Sequence, residues 1–225
     1  MQNLFSDLKE KTHNKHVELE HSAPFALFHN MMGNSASETQ HEHRENYHNV
    51  LCVMREFHQH CMWVINDAVK KYPALVPLSQ QFEAQAVLIA LDNDLTVLNS
   101  NSAKCITELQ NVDVPSFETA LSATISAMYV WLGSSMGANI ISRRLSKTDY
   151  GFPTHYYQSM AIQSKAWPEF KQEVARLLPI MIEASKAETH IGETLSDAII
   201  NDANLWFEHL ILLGKSTSLP PQTLS

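Results

Sequence analysis

Apolar residues recur three and four positions apart along almost the whole 225-residue chain, and alternating β-branched runs closed by hairpin turns do not occur. That spacing follows the 3.6-residue turn of an amphipathic helix and not the two-residue repeat of a half-buried strand. Breakers are few, with six glycines and nine prolines. The expected class is therefore all-α, a single helical-bundle domain over residues 1–215, followed by a loose tail over 216–225 that contains Pro220-Pro221.

The period also places the elements. Leu4, Leu8, Thr12, His16 and Leu19 mark the inward stripe of a first helix over about 4–20. A short helix over Ala23 to Met32 ends at Gly33-Asn34. Ser35 to Ser37 supply N-cap choices for a long helix reaching about Tyr72, with Tyr47, Leu51, Met54, Cys61 and Ile65 on its buried stripe. Residues 79–99 carry a further stripe of Val87, Leu88, Leu91, Leu95 and Leu98. Pro115-Ser116 is expected to open a long helix that continues to about Arg144. After a break at Tyr150-Gly151-Phe152-Pro153, helices are expected over about 154–164, 166–185 and 188–213.

Charge narrows the partners. A formal net charge of -8 argues against a generic nucleic-acid binder, which needs a clustered excess of Lys and Arg. No window approaches the uninterrupted apolar length of a membrane span, and Met1 to Asp7 lacks a basic region followed by an apolar run. A cytoplasmic protein without membrane insertion is expected. Cys52 and Cys61, about 900° apart around one helix, fall on opposite faces. With Cys105 they read as reduced thiols.

Two features carry chemistry. Gly133 and Gly137 lie one turn apart in an otherwise strong helix, each costing roughly 1 kcal/mol relative to alanine. Glycine there permits either tight helix packing or the close approach of a flat ligand to the backbone. His16 lies on the first helix's stripe. It is either a core histidine or a ligand, since neutral imidazole is a common ligand for haem iron.

Leu8-Lys9-Glu10-Lys11-Thr12-His13-Asn14-Lys15-His16 closely resembles the proximal-helix opening of haem oxygenases. Tyr129 to Asn139 resembles their kinked distal helix, in the Gly-Ser-x-x-Gly form of enzymes found beside bacterial phytochromes. Ala90-Leu91-Asp92-Asn93-Asp94-Leu95 and Trp167-Pro168-Glu169-Phe170-Lys171-Gln172 agree as well. The resemblance implies a haem oxygenase-like bundle with haem b sandwiched between the two helices. His16 takes the iron-ligand position, and Gly133 and Gly137 form the distal backbone. Lys9 and Lys171 lie near the propionates, with Tyr129 and Phe207 among the haem contacts. Ser134 stands where many animal members carry a distal aspartate, and Ala138 replaces an adjacent glycine, which leaves Ser134 and Asn139 as candidates for proton delivery. The implied reaction cleaves haem, cofactor and substrate together, with O2 to biliverdin, carbon monoxide and ferrous iron. Electrons would come from a ferredoxin or reductase, and a bacteriophytochrome would be one recipient of biliverdin.

Other readings compete. A haem storage, delivery or sensing protein would bind without turnover. Glu10/His13, Glu18/His21, Glu38/His41 and Glu45/His48 have the Glu-x-x-His form of di-iron bundles, and His41, Glu45 and His48 share one face. Their polar neighbours favour a solvated surface.

Overall fold

The computed structural model describes residues 4–33, 39–98, 109–185 and 194–217, and among them every regular element is helical. In chain order these are α1 (Leu4–Glu20), α2 (Phe25–Met31), α3 (Gln40–Lys71), the single turn α4 (Val76–Ser79) and α5 (Ala84–Leu98). After them come α6 (Ala120–Leu145), α7 (His155–Gln163), α8 (Trp167–Ser185) and α9 (Leu195–Thr217). The all-α expectation is met. No single described helix is long and apolar enough to cross a membrane.

Capping chemistry corrects two boundaries. The cap of α3 is Thr39; Ser35 to Ser37 lie outside the described residues. Glu42 N donates to Thr39 Oγ1 at 3.3 Å while Thr39 N donates to the Glu42 carboxylate at 2.6 Å, a reciprocal capping box. Pro115-Ser116 does not open α6. Thr119 and Ser122 bond each other's backbone N–H at 3.0 and 3.2 Å, and the helix starts at Ala120. At the other end α9 continues to Thr217, two residues past the expected domain limit, and 218–225 lie outside the described residues.

The central stack is α3, α6 and α9, with α5 and α7 on one flank and α1 against α9 on the other. Its core holds Tyr47 and Phe57 of α3, Trp131 of α6, Tyr156 of α7 and Trp206 of α9, all essentially dry. The predicted stripes of α3 and α5 are buried throughout, and Cys52 and Cys61 are buried thiols; Cys105 lies outside the described residues. Buried polar groups are tied across elements, as they must be out of water. Ser122 donates to Asp202 at 2.5 Å, and Trp206 Nε1 donates to the Ala123 carbonyl at 3.2 Å. Asp94 of α5 accepts from the backbone N–H groups of His155 and Tyr156, at 3.2 and 2.9 Å. It thereby caps α7, whose own N-cap Thr154 makes no side-chain capping bond.

Ionic and close-packed contacts hold α1 and the turn after it to α9. Lys15 pairs with Glu208 at 2.9 Å, and the turn after α1 rests on Gly214. A Cβ at Gly214 would lie 2.5 Å from the Ala23 carbonyl oxygen, so glycine is required for that approach.

Candidate functional site

The first helix carries an error in the expected stripe and, with it, a clue. Leu4, Leu8 and Thr12 are buried, but His16 is exposed, its side chain 53% accessible. Steps of four residues advance about 40° each, so by His16 the row has rotated about 120° from Leu4 and left the interior. Leu19, half-buried, lies nearer the original direction. His16 is therefore not a core histidine. Its ring meets Phe207 of α9 edge to face at 5.7 Å, and its Nδ1 lies 3.8 Å from Glu20 one turn on.

What His16 looks toward is fixed at two points. Near the middle of α1, Thr12 lies beside Tyr129 of α6; burial raises the Tyr129 pKa and Thr12 opposes that shift. Past the end of α1, His29 of α2 is half-buried, which lowers its pKa; Glu20 opposes that shift, and Arg144 and His16 reinforce it. Arg144, Glu20 and His16 thus each lie within electrostatic reach of His29. Tyr129 of α6 therefore lies near Thr12 of α1, and Arg144 near the end of α6 acts on the same His29 as Glu20 and His16 of α1. Both helices pack on α9, α6 also on α3 and α7, and the space over Phe207 of α9 between α1 and the Tyr129 face of α6 is the candidate cleft.

Helical geometry identifies the side chains on that face. With Tyr129 as origin and about 100° per residue, Met136 and Ile140 fall within about 20° of it. On the same count Gly133 lies at about 40°, Arg144 at about 60° and Gly137 at about 80°. Met136 and Ile140 are 57% and 56% exposed, whereas Val130, Trp131 and Leu132 of the same helix are 2% or less. Gly133 is exposed and Gly137 half-buried, and a Cβ built on either would meet nothing within 4 Å. Tight helix packing, one reading of the glycine pair, is not what these glycines serve.

The remaining predicted site residues sit around this cleft. Lys171 lies over Trp167 with its Nζ 6.0 Å from the ring centroid, and Trp167 contacts Tyr129 at 5.7 Å. Lys9 is exposed on α1, one turn before Thr12. Lys171 thus neighbours Tyr129 through Trp167, and Lys9 stands three residues before Thr12. Ser134, at about 140° on the wheel, donates to its own helix at the Trp131 carbonyl, 2.6 Å away. Asn139 is exposed, about 80° to the other side of Tyr129. Neither candidate for proton delivery is centred on the face. Met136, Ile140 and Glu20 carry no mark of a site in the sequence and Thr12 reads there only as part of the inward stripe, although a helical wheel drawn from Tyr129 puts the first two beside the glycines.

The chain matches no family model, no curated protein and no solved structure.

The carboxylate and histidine pairs behave differently from a metal cage. Glu10, His13, Glu18, His21, His41 and Glu45 are exposed, His48 is buried, and Glu38 lies outside the described residues. Among the described residues no three His, Cys, Asp or Glu side chains converge as a metal site. Other histidines are structural. His58 is fully buried with Nε2 3.1 Å from the Tyr156 hydroxyl, and burial pushes its pKa down to about 3. His60 Nδ1 and His209 Nε2 share a hydrogen bond of 2.8 Å between α3 and α9, and burial, helped by His60, takes His209 down to about 4.

Proposed function

We propose that the cleft between α1 and α6 binds one haem, and that the protein is a haem oxygenase. The observation that carries the reading is the pairing of an exposed histidine on α1 with an α6 face left open at both Gly133 and Gly137. A flat apolar ring bound there would cover Met136 and Ile140, fill the space that a Cβ would otherwise occupy, and leave a nitrogen ligand beneath it. The donor set fits, because a neutral imidazole suits haem iron. Haem, when bound, supplies oxygen activation at its iron and is itself the substrate, cleaved with O2 and electrons from an external donor protein to biliverdin, carbon monoxide and ferrous iron.

The chain's own residues would orient and enclose. His16 would hold the iron, its ring fixed edge-on by Phe207 and its Nδ1 side facing Glu20. A carboxylate beside the non-ligating nitrogen fixes the tautomer and raises ligand basicity. Lys9 and Lys171 would face the two propionates, where charge-assisted contacts are favoured. The glycine backbone would limit the room above the ring, and Ser134, bonded to the Trp131 carbonyl, leaves no strong acid on that segment.

Hemin titrated into the purified protein should sharpen the Soret band and saturate at about one haem per chain. His16→Ala should lose the histidine-ligated spectrum, and added imidazole should restore part of it. A flat titration overturns the reading. A Soret band that persists under reductant and air assigns the cleft to haem carriage without turnover.

A further inference from the structure

The protein has nine methionines, and those with described side chains differ sharply in exposure. Met31, Met54, Met128 and Met160 are buried, and Met32 and Met62 are half-buried. Met136 alone among them is exposed, at 57%; Met1 and the side chain of Met181 lie outside the described residues. We propose that Met136 is a peroxide-sensitive modification site, and that its sulfoxide closes the cleft to haem. The closure, though not the modification, rests on the haem reading.

Local geometry explains why this sulfur stays open. A helical side chain leans back over the turn before it, toward the residues three and four earlier. For Met136 the residue three earlier is Gly133, and the residue after it is Gly137. A Cβ at either glycine would meet nothing within 4 Å, so neither position offers cover to the thioether. Tyr129 lies within about 20° on the wheel, which puts Met136 on the cleft face.

The chemistry is an oxygen transfer. A sulfur lone pair attacks one oxygen of hydrogen peroxide, the S–O bond forms as the O–O bond breaks, and the other oxygen leaves as water with both protons. Sulfur is oxidised by two electrons and peroxide is reduced. A flexible apolar side chain becomes a polar, chiral one, and dithiol-driven reductases reverse the change. A flat apolar ring seated over the sulfoxide would strip water from its oxygen. The hydroxyls of Ser134 and Ser135 already donate within their own helix, to the carbonyls of Trp131 and Leu132, and do not replace that water. Burying the oxygen without a donor is costly, so the oxidised face disfavours the ring.

The test treats the full-length protein without haem with hydrogen peroxide, and removes the excess with catalase. Oxygen addition is then mapped peptide by peptide, and hemin is titrated. Met136 should take up oxygen several-fold faster than Met31, Met54, Met128 or Met160, with the helical circular dichroism unchanged. Hemin affinity should fall several-fold in step with it, and methionine sulfoxide reductases for both epimers, supplied with dithiol, should restore it. Met136→Leu keeps the apolar bulk without the sulfur, so it should bind hemin as the parent does and hold that affinity through the same treatment. Uptake at Met136 no faster than at the buried methionines overturns the modification site. Uptake at Met136 with unchanged hemin affinity, or an equal loss in Met136→Leu, overturns the closure and leaves the haem reading standing. A parent that takes up no hemin before treatment overturns the haem reading and the closure together, while the mapping decides the modification site by itself.

Discussion

At the end of α9 a Cβ on Gly214 would press to 2.5 Å from the Ala23 carbonyl oxygen, whereas on α6 a Cβ on Gly133 or Gly137 would meet nothing within 4 Å. The histidines divide in the same way. His58 and His209 are buried between helices and held neutral, while His16, half exposed, faces the cleft. Residue types that are rare in helices or expensive to bury thus occur twice in this protein, once for packing and once with no packing partner. Only the second use calls for something that is not part of the fold.

The largest expected effect lies in the packed region. His209 and His58 stay neutral in the folded state down to about pH 4 and about pH 3, whereas the unfolded chain takes up protons at both from about pH 6.5 downward. Stability from these groups is therefore full above about pH 6.5 and declines as the pH falls toward their folded values, by roughly 3 kcal/mol for His209 and roughly 5 kcal/mol for His58. Denaturant midpoints at pH 7 and pH 4.5 measure this, and His209→Gln should flatten the dependence. Equal midpoints at both pH values would erase the distinction between buried and cleft histidines. Next in size is Gly214→Ala, expected to cost about 1–3 kcal/mol, because the neighbouring atom is backbone and the whole turn after α1 must shift.

The cleft region should respond with the opposite sign. Gly133 and Gly137 lie inside a helix with open space around them, so alanine at either should raise stability without haem by up to about 1 kcal/mol. The same methyl should slow haem conversion. A destabilised Gly137→Ala with parental turnover would move that glycine into Gly214's class. The smallest effect is expected at the lysines. Lys9→Glu with Lys171→Glu should weaken hemin binding modestly, and the difference should shrink in high salt. If the affinity is the same with and without these charges, neither lysine reaches the ring.

Much of this architecture could be read from periodicity. The stripes of α3 and α5 are buried as the spacing implies, and α1, α7 and α8 fall within a residue or two of their expected bounds. Two starts were misplaced because Pro115-Ser116 and Ser35 to Ser37 have cap chemistry, while Thr119 and Thr39 have a reciprocal partner three residues on. The cleft was legible only in part. His16 and the glycines stand out by residue type, but the spacing that put His16 on an inward row ignored the drift of a four-residue step. Met136 and Ile140 look like ordinary core residues in the sequence, and only their exposure on the side of Tyr129 separates them from Val130 and Leu132. The remote ties, such as Asp94 capping α7 and Lys15 meeting Glu208, have no local signal at all.

The attachment of α1 to α9 also fixes when the cleft can come into being. These are the first and last of the described helices, so His16 and Phe207 are neighbours in space from opposite ends of the chain. Closure of so long a loop is slow compared with forming the nearer contacts of α3 with α5 and of α6 with α7. On the ribosome α1 has no seat until nearly the whole sequence has emerged. The inner bundle can consolidate first, and the meeting of His16 with Phe207 arrives with the last described helix, so a chain shortened before it would be folded in part yet lack the candidate cleft.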